Sequence, residues 1–160
     1  MRKAFPWSNR NFGPDGITLT GNKVILREKR IDDIPNDYMW RSDAELARLD
    51  ATRPLDMSYN DFKKYSEQEL KFGSNRSKRF AIDTLKGIHI GNCMYYDIDT
   101  RNREAELGIM IGDRAFWSKG YGTDTVSTFL KHVFKSTGLT RIYLHTLEWN
   151  HRARGSFTKS

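Results

Sequence analysis

The chain has 160 residues, 38% of them apolar and 29% charged, with nine Phe, seven Tyr and four Trp. That is a globular composition sized for one domain, and it excludes wholesale disorder and two full domains. The net charge of +7 is spread unevenly, with +5 over residues 1–30, −3 over 31–112 and +5 over 113–160, so either a solvated surface or a local anionic ligand accounts for the two basic ends.

No apolar run reaches membrane-spanning length. The basic start at Met1-Arg2-Lys3 has no apolar segment behind it, so no signal peptide is expected. A single cysteine, Cys93, excludes an internal disulfide framework and a cysteine-based zinc site. A cytoplasmic, reducing setting follows as an expectation. His89, His132, His145 and His151 show no ligand spacing, so no metal site is expected.

Residues 1–21 read as an N-terminal arm or loop, rich in turn formers from Pro6 to Gly16. Val24-Ile25-Leu26 is a first short strand. A helical region runs from Ile31 to Leu49 and breaks at Arg53-Pro54. Ser58, three residues ahead of Asp61, is an N-cap for a helix with Phe62, Tyr65, Leu70 and Phe72 at helical spacing and Gly73 as its stop. Strands then follow at 79–83, 88–96 and 104–111, joined by turns at Lys86-Gly87 and 97–102, as an antiparallel meander. Gly91 marks a bulge or a close approach within the second of these. Val126, Phe129, Leu130, Val133 and Phe134 give the clearest helix face, ending at Gly138. A strand at 140–146, which would carry His145 beside the gap before Asn150, and a final helix-like segment from Asn150 complete the chain. The fold class is a mixed α/β (α+β) domain over residues 22–160: a meander followed by one β-α-β unit.

The stretch Phe116-Trp117-Ser118-Lys119-Gly120-Tyr121-Gly122-Thr123-Asp124-Thr125 lies between a strand and the amphipathic helix. Two glycines permit close backbone approach, a helix N-terminus presents unpaired amides, and Lys119 adds a cation. These parts suit a pyrophosphate, or form a plain glycine turn into a helix. A Walker A string is absent, and Thr125 stands where a dinucleotide fingerprint needs its third Gly.

This window resembles the acetyl-CoA motif of the GNAT N-acetyltransferase superfamily, Arg/Gln-x-x-Gly-x-Gly/Ala. More narrowly it resembles the ribosomal-protein alanine acetyltransferase-like (RimJ/RimL-type) branch, where Trp-x-Lys-Gly-Tyr-Gly/Ala-Thr is typical. Ala105-Glu106-Leu107-Gly108 is similar to that branch's Ala-Glu-Ile/Leu-Gly strand, and Asn150-His151-Arg152-Ala153 to its Asn-x-Arg/Ala-Ala/Ser segment. The three motifs stand in the family's order, and the resemblance covers the chain from about residue 22 onward.

The resemblance implies a GNAT fold: a central, mostly antiparallel, splayed sheet with flanking helices. It also implies acetyl-CoA as the acyl donor. Met110 and Ile111 would offer backbone groups to the pantetheine arm. Trp117, Ser118, Lys119, Gly120, Tyr121, Gly122 and Thr123 would hold the pyrophosphate, with Asn150 and Arg152 contacting the cofactor across the gap between strands. Glu106, on one strand face with Glu104, Gly108 and Met110, is the candidate base, directly or through water, and its small and apolar neighbours would raise its pKa. A solvated strand-edge carboxylate is the plainer alternative. The family's usual acid, a Tyr seven residues after the Asn, is Phe157 here, which has no proton to donate. The family's last hairpin would begin where this chain stops. A truncated chain, a shortened gene product, or a chain completed by a partner such as a second copy are the expectations there.

The expected activity is direct transfer of an acetyl group to a primary amine, on a protein N-terminus or a small molecule. Residues 31–73 would border the acceptor, with Asp50, Arg53 and Asp56 in the intervening loop. The alternative is a non-catalytic acyl-CoA-binding or RNA- or ribosome-docking module. No aromatic–basic interleaving or helix-turn-helix supports nucleic acid.

Overall fold

A computed structural model describes residues 16–74, 76–148 and 150–159. The reading of residues 1–15 as an arm lies outside the described residues. The elements run β1 (Thr18–Thr20), β2 (Val24–Glu28), α1 (Ile34–Ser42), α2 (Ala44–Leu49), α3 (Tyr59–Phe72), β3 (Lys78–Thr84), β4 (His89–Asp99), β5 (Glu104–Ile111), α4 (Tyr121–Ser136), β6 (Arg141–Tyr143) and α5 (His151–Lys159). The six strands form one sheet in chain order, antiparallel throughout except for the parallel β5–β6 pair.

The sheet buries one face under α4. Alternation puts Val24, Leu26, Phe80, Ile82, Ala105, Leu107 and Ile111 on that side, where they meet Val126, Phe129 and Val133. Phe134, expected on the same helix face, is exposed. It lies eight residues after Val126, a rotation of about 80° that carries it off the sheet. The helix ends at Thr137 rather than at Gly138: the Thr137 hydroxyl donates to Val133 O at 2.6 Å and accepts from Leu139 N at 3.2 Å.

The opposite face carries charge. Arg27 donates to Asp33 at 2.8 and 2.9 Å and to Asp83 at 2.7 and 3.0 Å, and all three residues are buried. Burial alone would raise the Asp33 carboxyl, but Arg27, Lys29, the Arg30 amide and His89 hold it below the ordinary range. Lys29 extends the network to Asp37 at 2.7 Å and to Asn92. The network fixes the segment leading into α1 onto the sheet.

The structure bears out several local expectations. The Ser58 hydroxyl accepts from Asp61 N at 3.2 Å at the start of α3, and Gly73 ends that helix at φ +65°. A Cβ at Gly91 would collide with the Met110 carbonyl, so the glycine lets β5 close on β4, and the ladder is irregular beside it. Other boundaries move. Thr18–Thr20, inside the span read as an arm, pair with β2 as strand β1. The region 31–49 is a 3-10 turn followed by α1 and α2, divided where Asp43 turns extended and caps α2 through Leu46 N at 2.9 Å. Strand β4 continues to Asp99 through the expected turn, absorbing a register shift between Tyr96 and Asp99. The expected strand 140–146 stops at Tyr143, so His145 lies just beyond β6.

Candidate functional site

Strand β5 divides its side chains between core and site. Ala105, Leu107 and Ile111 are buried, while Glu106, Gly108 and Met110 point to the other face. Its parallel ladder with β6 has three rungs: Glu104↔Arg141, Ala105↔Ile142 and Glu106↔Tyr143. Beyond Glu106 the strands part. A cleft of about 330 Å³ opens there between residues 107–111 and residues 145–147, closed at its far side by Asn150 and Phe157.

Glu106 stands at the apex of this cleft. Its side chain is 14% exposed, and Oε1 lies 2.8 Å from His145 Nδ1. Tyr96, its cross-strand partner, donates its hydroxyl to the same carboxylate. Burial pushes the Glu106 carboxyl up, but the hydrogen bonds from His145 and Tyr96 and the charge of His145 outweigh it, so its pKa is lowered. This corrects the expectation of a raised value: the small neighbours are present, and two donors override them. Burial, Glu106, Asp97 and Asp50 together push the Tyr96 hydroxyl well up. Asp50 closes α2 at the cleft mouth. It is open to solvent but crowded by neighbouring atoms, and this desolvation raises its pKa against the pull of Arg41. The cleft thus holds two carboxylates, Glu106 at its apex and Asp50 at its mouth, with Arg152 also in its lining.

A second groove, of about 1160 Å³, runs along the N-terminal half of α4 and past the β1–β2 turn. Gly120 caps α4 at φ +87°, a left-handed conformation that costs glycine little. Asp124 is the first helix residue whose amide finds a helical acceptor, Gly120 O at 3.0 Å, so the turn before it presents amides and the positive helix end. Lys23, Lys131, Lys135, Arg152 and Lys159 line this groove. The grooves are contiguous, since Ile111, Gly122, Arg152 and Ser156 line both.

The structure brings most of the expected site residues together. Glu106, Met110, Ile111, Gly122, Asn150 and Arg152 line the inner cleft. Trp117, Ser118, Gly120 and Thr123 line the outer groove with Ile111, Gly122 and Arg152. Trp117 Nε1 donates to Ile111 O at 2.7 Å, which ties the loop to the end of β5. The Arg152 guanidinium sits 4.0 Å from the centroid of the same indole. Lys119 and Tyr121 line neither groove. Lys119 contributes its carbonyl, which accepts from Lys23 Nζ at 2.9 Å, and Tyr121 packs edge-on against Phe116. Asn150 works as a cap: its Oδ1 accepts from Ala153 N at 3.2 Å and its Nδ2 donates to Leu49 O at 3.4 Å. Of the acceptor-loop candidates, Asp50 reaches the cleft, while Arg53 and Asp56 line neither groove.

Two positions at the site, Asp124 and Lys23, escaped sequence reasoning, and His145, expected beside the gap, has a partner that the sequence did not announce. Asp124 accepts from the amides of Asn22, Lys23 and Val24 at 3.1, 2.7 and 3.0 Å, pinning the β1–β2 turn to α4. Lys23, held in that turn, places its ammonium beside Gly120. His145 pairs with Glu106. The sequence signal for Asp124 was its place in a helix first turn; its partners lie about 100 residues away in sequence.

The residues fit an acyl-CoA: a glycine-capped helix end and five cations for phosphates, leading into a narrow cleft beside a strand edge. The model of the acetyltransferase (GNAT) domain matches residues 23–160. The chain belongs to this family. Among curated proteins, this GNAT domain is similar to the N-acetyltransferase p20 of Bacillus licheniformis, itself uncharacterised, at 27% identity over 128 residues, 78% of this chain and 70% of that one. It is also similar to the human alpha/beta-tubulin-N-acetyltransferase 9, at 28% identity over 135 residues, 77% of this chain and 64% of the relative. Among solved structures, it shares its fold with the spermidine N-acetyltransferase of Vibrio cholerae in complex with CoA and spermine, at TM-score 0.76 and 20% identity, covering 85% of this chain and 78% of that one. It also shares it with Mycobacterium smegmatis RimJ in complex with CoA-disulfide, at TM-score 0.69 and 20% identity, covering 89% and 73%. No helix among the described residues is long and apolar enough to cross a membrane.

Proposed function

We propose that this GNAT domain transfers an acetyl group from acetyl-CoA to a cationic primary amine, on a protein N-terminus or a small molecule. One observation carries the reading: a groove rich in cations runs into a cleft that holds two carboxylates. The outer groove is lined by Lys23, Lys131, Lys135, Arg152 and Lys159 and suits the anionic phosphates of the donor. The inner cleft holds Glu106 and Asp50 and suits a positively charged acceptor. A donor thioester reaching past the junction at Ile111 and Gly122 would meet an acceptor amine in the inner cleft, near Gly108 and Met110. Structures of fold neighbours that hold CoA support the donor; one also holds spermine, a polyamine.

The amine would lose its proton at the Glu106 end of the cleft and attack the thioester directly. Trp117, through Ile111 O, would keep the strand end and the phosphate loop in register, so that donor binding and thioester placement are linked.

Thermal shift with acetyl-CoA is the first test. A shift that saturates supports the donor site, and no shift in folded protein rejects it. Release of free thiol across a panel of amines then separates an acetyltransferase from an acyl-CoA-binding module. The assay is clean because Cys93 is buried and burial raises its thiol pKa, so a thiol reagent reads only CoA in the native state.

A further inference from the structure

We propose that His145 is the group that carries protons in the transfer, with Glu106 as its positioning partner. The inference rests on the acetyl-transfer reading above and deepens it.

The geometry is that of an oriented imidazole. His145 lies on the arm of the cleft opposite β5, and its Nδ1 is 2.8 Å from Glu106 Oε1. An ionised carboxylate only accepts, and Tyr96 already donates to this one, so the hydrogen in the His145–Glu106 contact belongs to Nδ1. A neutral imidazole protonated at Nδ1 has its lone pair on Nε2. Among the described residues no group hydrogen-bonds that nitrogen, and the side chain, which lines the cleft, is 78% exposed. The arrangement is base plus orienting carboxylate.

The other candidates at the cleft are committed. Tyr96 is tied to Glu106, and its hydroxyl is pushed well up by burial and that carboxylate. Arg152 is stacked on Trp117. Phe157 reaches the cleft but has no proton to give. Glu106 is held down as a carboxylate by two donors and so is a weak base. Imidazole is the side-chain type suited to take and return a proton near neutrality. The groups around it are Glu106 from β5, the Tyr143 ring edge-on at 5.8 Å from β6, and Asp50 and Arg152, which line the same cleft.

In the balanced step, the acceptor ammonium gives one proton to His145 Nε2. The freed nitrogen lone pair attacks the thioester carbonyl carbon, the C–N bond forms, and the C–S bond breaks as the tetrahedral intermediate collapses. Nitrogen loses a second proton. One of these two protons reaches the departing sulfur through His145, and the other passes to solvent. Nothing is oxidised or reduced.

Two measurements decide the matter. Nitrogen-15 NMR of the full chain reads which ring nitrogen of His145 carries hydrogen, independently of turnover. We expect the Nδ1-protonated tautomer, shifting toward a mixture in Glu106→Gln. Steady-state kinetics of His145→Ala and His145→Gln should show kcat reduced about 100-fold. They should also show an unchanged thermal shift with acetyl-CoA, loss of the acid limb of the kcat profile, and partial rescue of His145→Ala by imidazole. An Nε2-protonated tautomer, or a His145→Ala enzyme within about three-fold of wild type where about 100-fold is expected, overturns the inference. A wild type that binds acetyl-CoA but releases no thiol with any amine overturns the transfer reading and this role together. A working wild type with an unimpaired His145→Ala overturns this role alone.

Discussion

Glu106 and Tyr143 form the last rung of the parallel β5–β6 ladder, and the two strands separate immediately beyond them. The carboxylate is thus fixed by sheet register at the apex of the cleft. Glu106→Gln keeps the shape and removes the charge. It should lower kcat by about 10²-fold while leaving stabilisation by acetyl-CoA unchanged. Because the Glu106 pKa is lowered, the carboxylate stays ionised as pH falls into the ordinary glutamate range.

Gly120 holds the left-handed conformation that opens α4. Gly120→Ala should cost about 1 kcal/mol of stability, or about 3 °C in Tm. It should also weaken acetyl-CoA binding, because the new methyl disturbs the amides of the first turn. Paired melts with and without acetyl-CoA separate the two effects.

Asp124 joins the β1–β2 turn to α4 through three backbone amides. Asp124→Ala should destabilise by about 2 kcal/mol. It should also release Lys23 from the phosphate loop, lowering affinity for acetyl-CoA more than for acetyl-pantetheine, which lacks the pyrophosphate. Denaturant melts and calorimetric titration measure each.

Arg27 neutralises Asp33 and Asp83 in the buried network. Arg27→Met removes the guanidinium shared by two buried carboxylates, leaving Asp33 only its weaker contacts with Lys29, His89 and the Arg30 amide, and should cost about 4 kcal/mol at neutral pH. The pH dependence has a definite sign. The Asp33 pKa is lowered in the folded chain, so its contribution is full above the ordinary carboxylate range and is lost as pH falls through the folded value. The stability gap between wild type and variant should shrink in acid.

Phe157 occupies the cleft where the resembled motif has a tyrosine. If His145 supplies the proton to sulfur, Phe157→Tyr should change kcat by less than about three-fold, small beside the 10²–10⁴-fold typical of an acid–base residue.

The sheet and its helices were largely legible. Regular alternation in β5 and the apolar face of α4 carried their own signals, and Ser58 and Gly73 marked the ends of α3. The misplaced boundaries share a cause in local irregularity. Thr18–Thr20 has no apolar run and gains strand character only by pairing with β2. β4 runs through its expected turn because a register shift absorbs the extra residues. At the site, the motif window was visible because its spacing is local. The Glu106–His145 pair, the Asp124–Lys23 contact and the Arg27 network join residues 39, 101 and 56 positions apart, with no periodic pattern to announce them. The lowered pKa of Glu106 is hidden for the same reason: its donors come from β4 and from the segment just beyond β6.

The most direct test of the central claim is amine-dependent thiol release from acetyl-CoA by the folded wild-type chain. The account predicts release that saturates in both acetyl-CoA and at least one cationic primary amine, and that stops when the amine is left out. Folded protein that is not stabilised by acetyl-CoA and releases no thiol with polyamine, aminoglycoside or peptide N-terminal amines would contradict it.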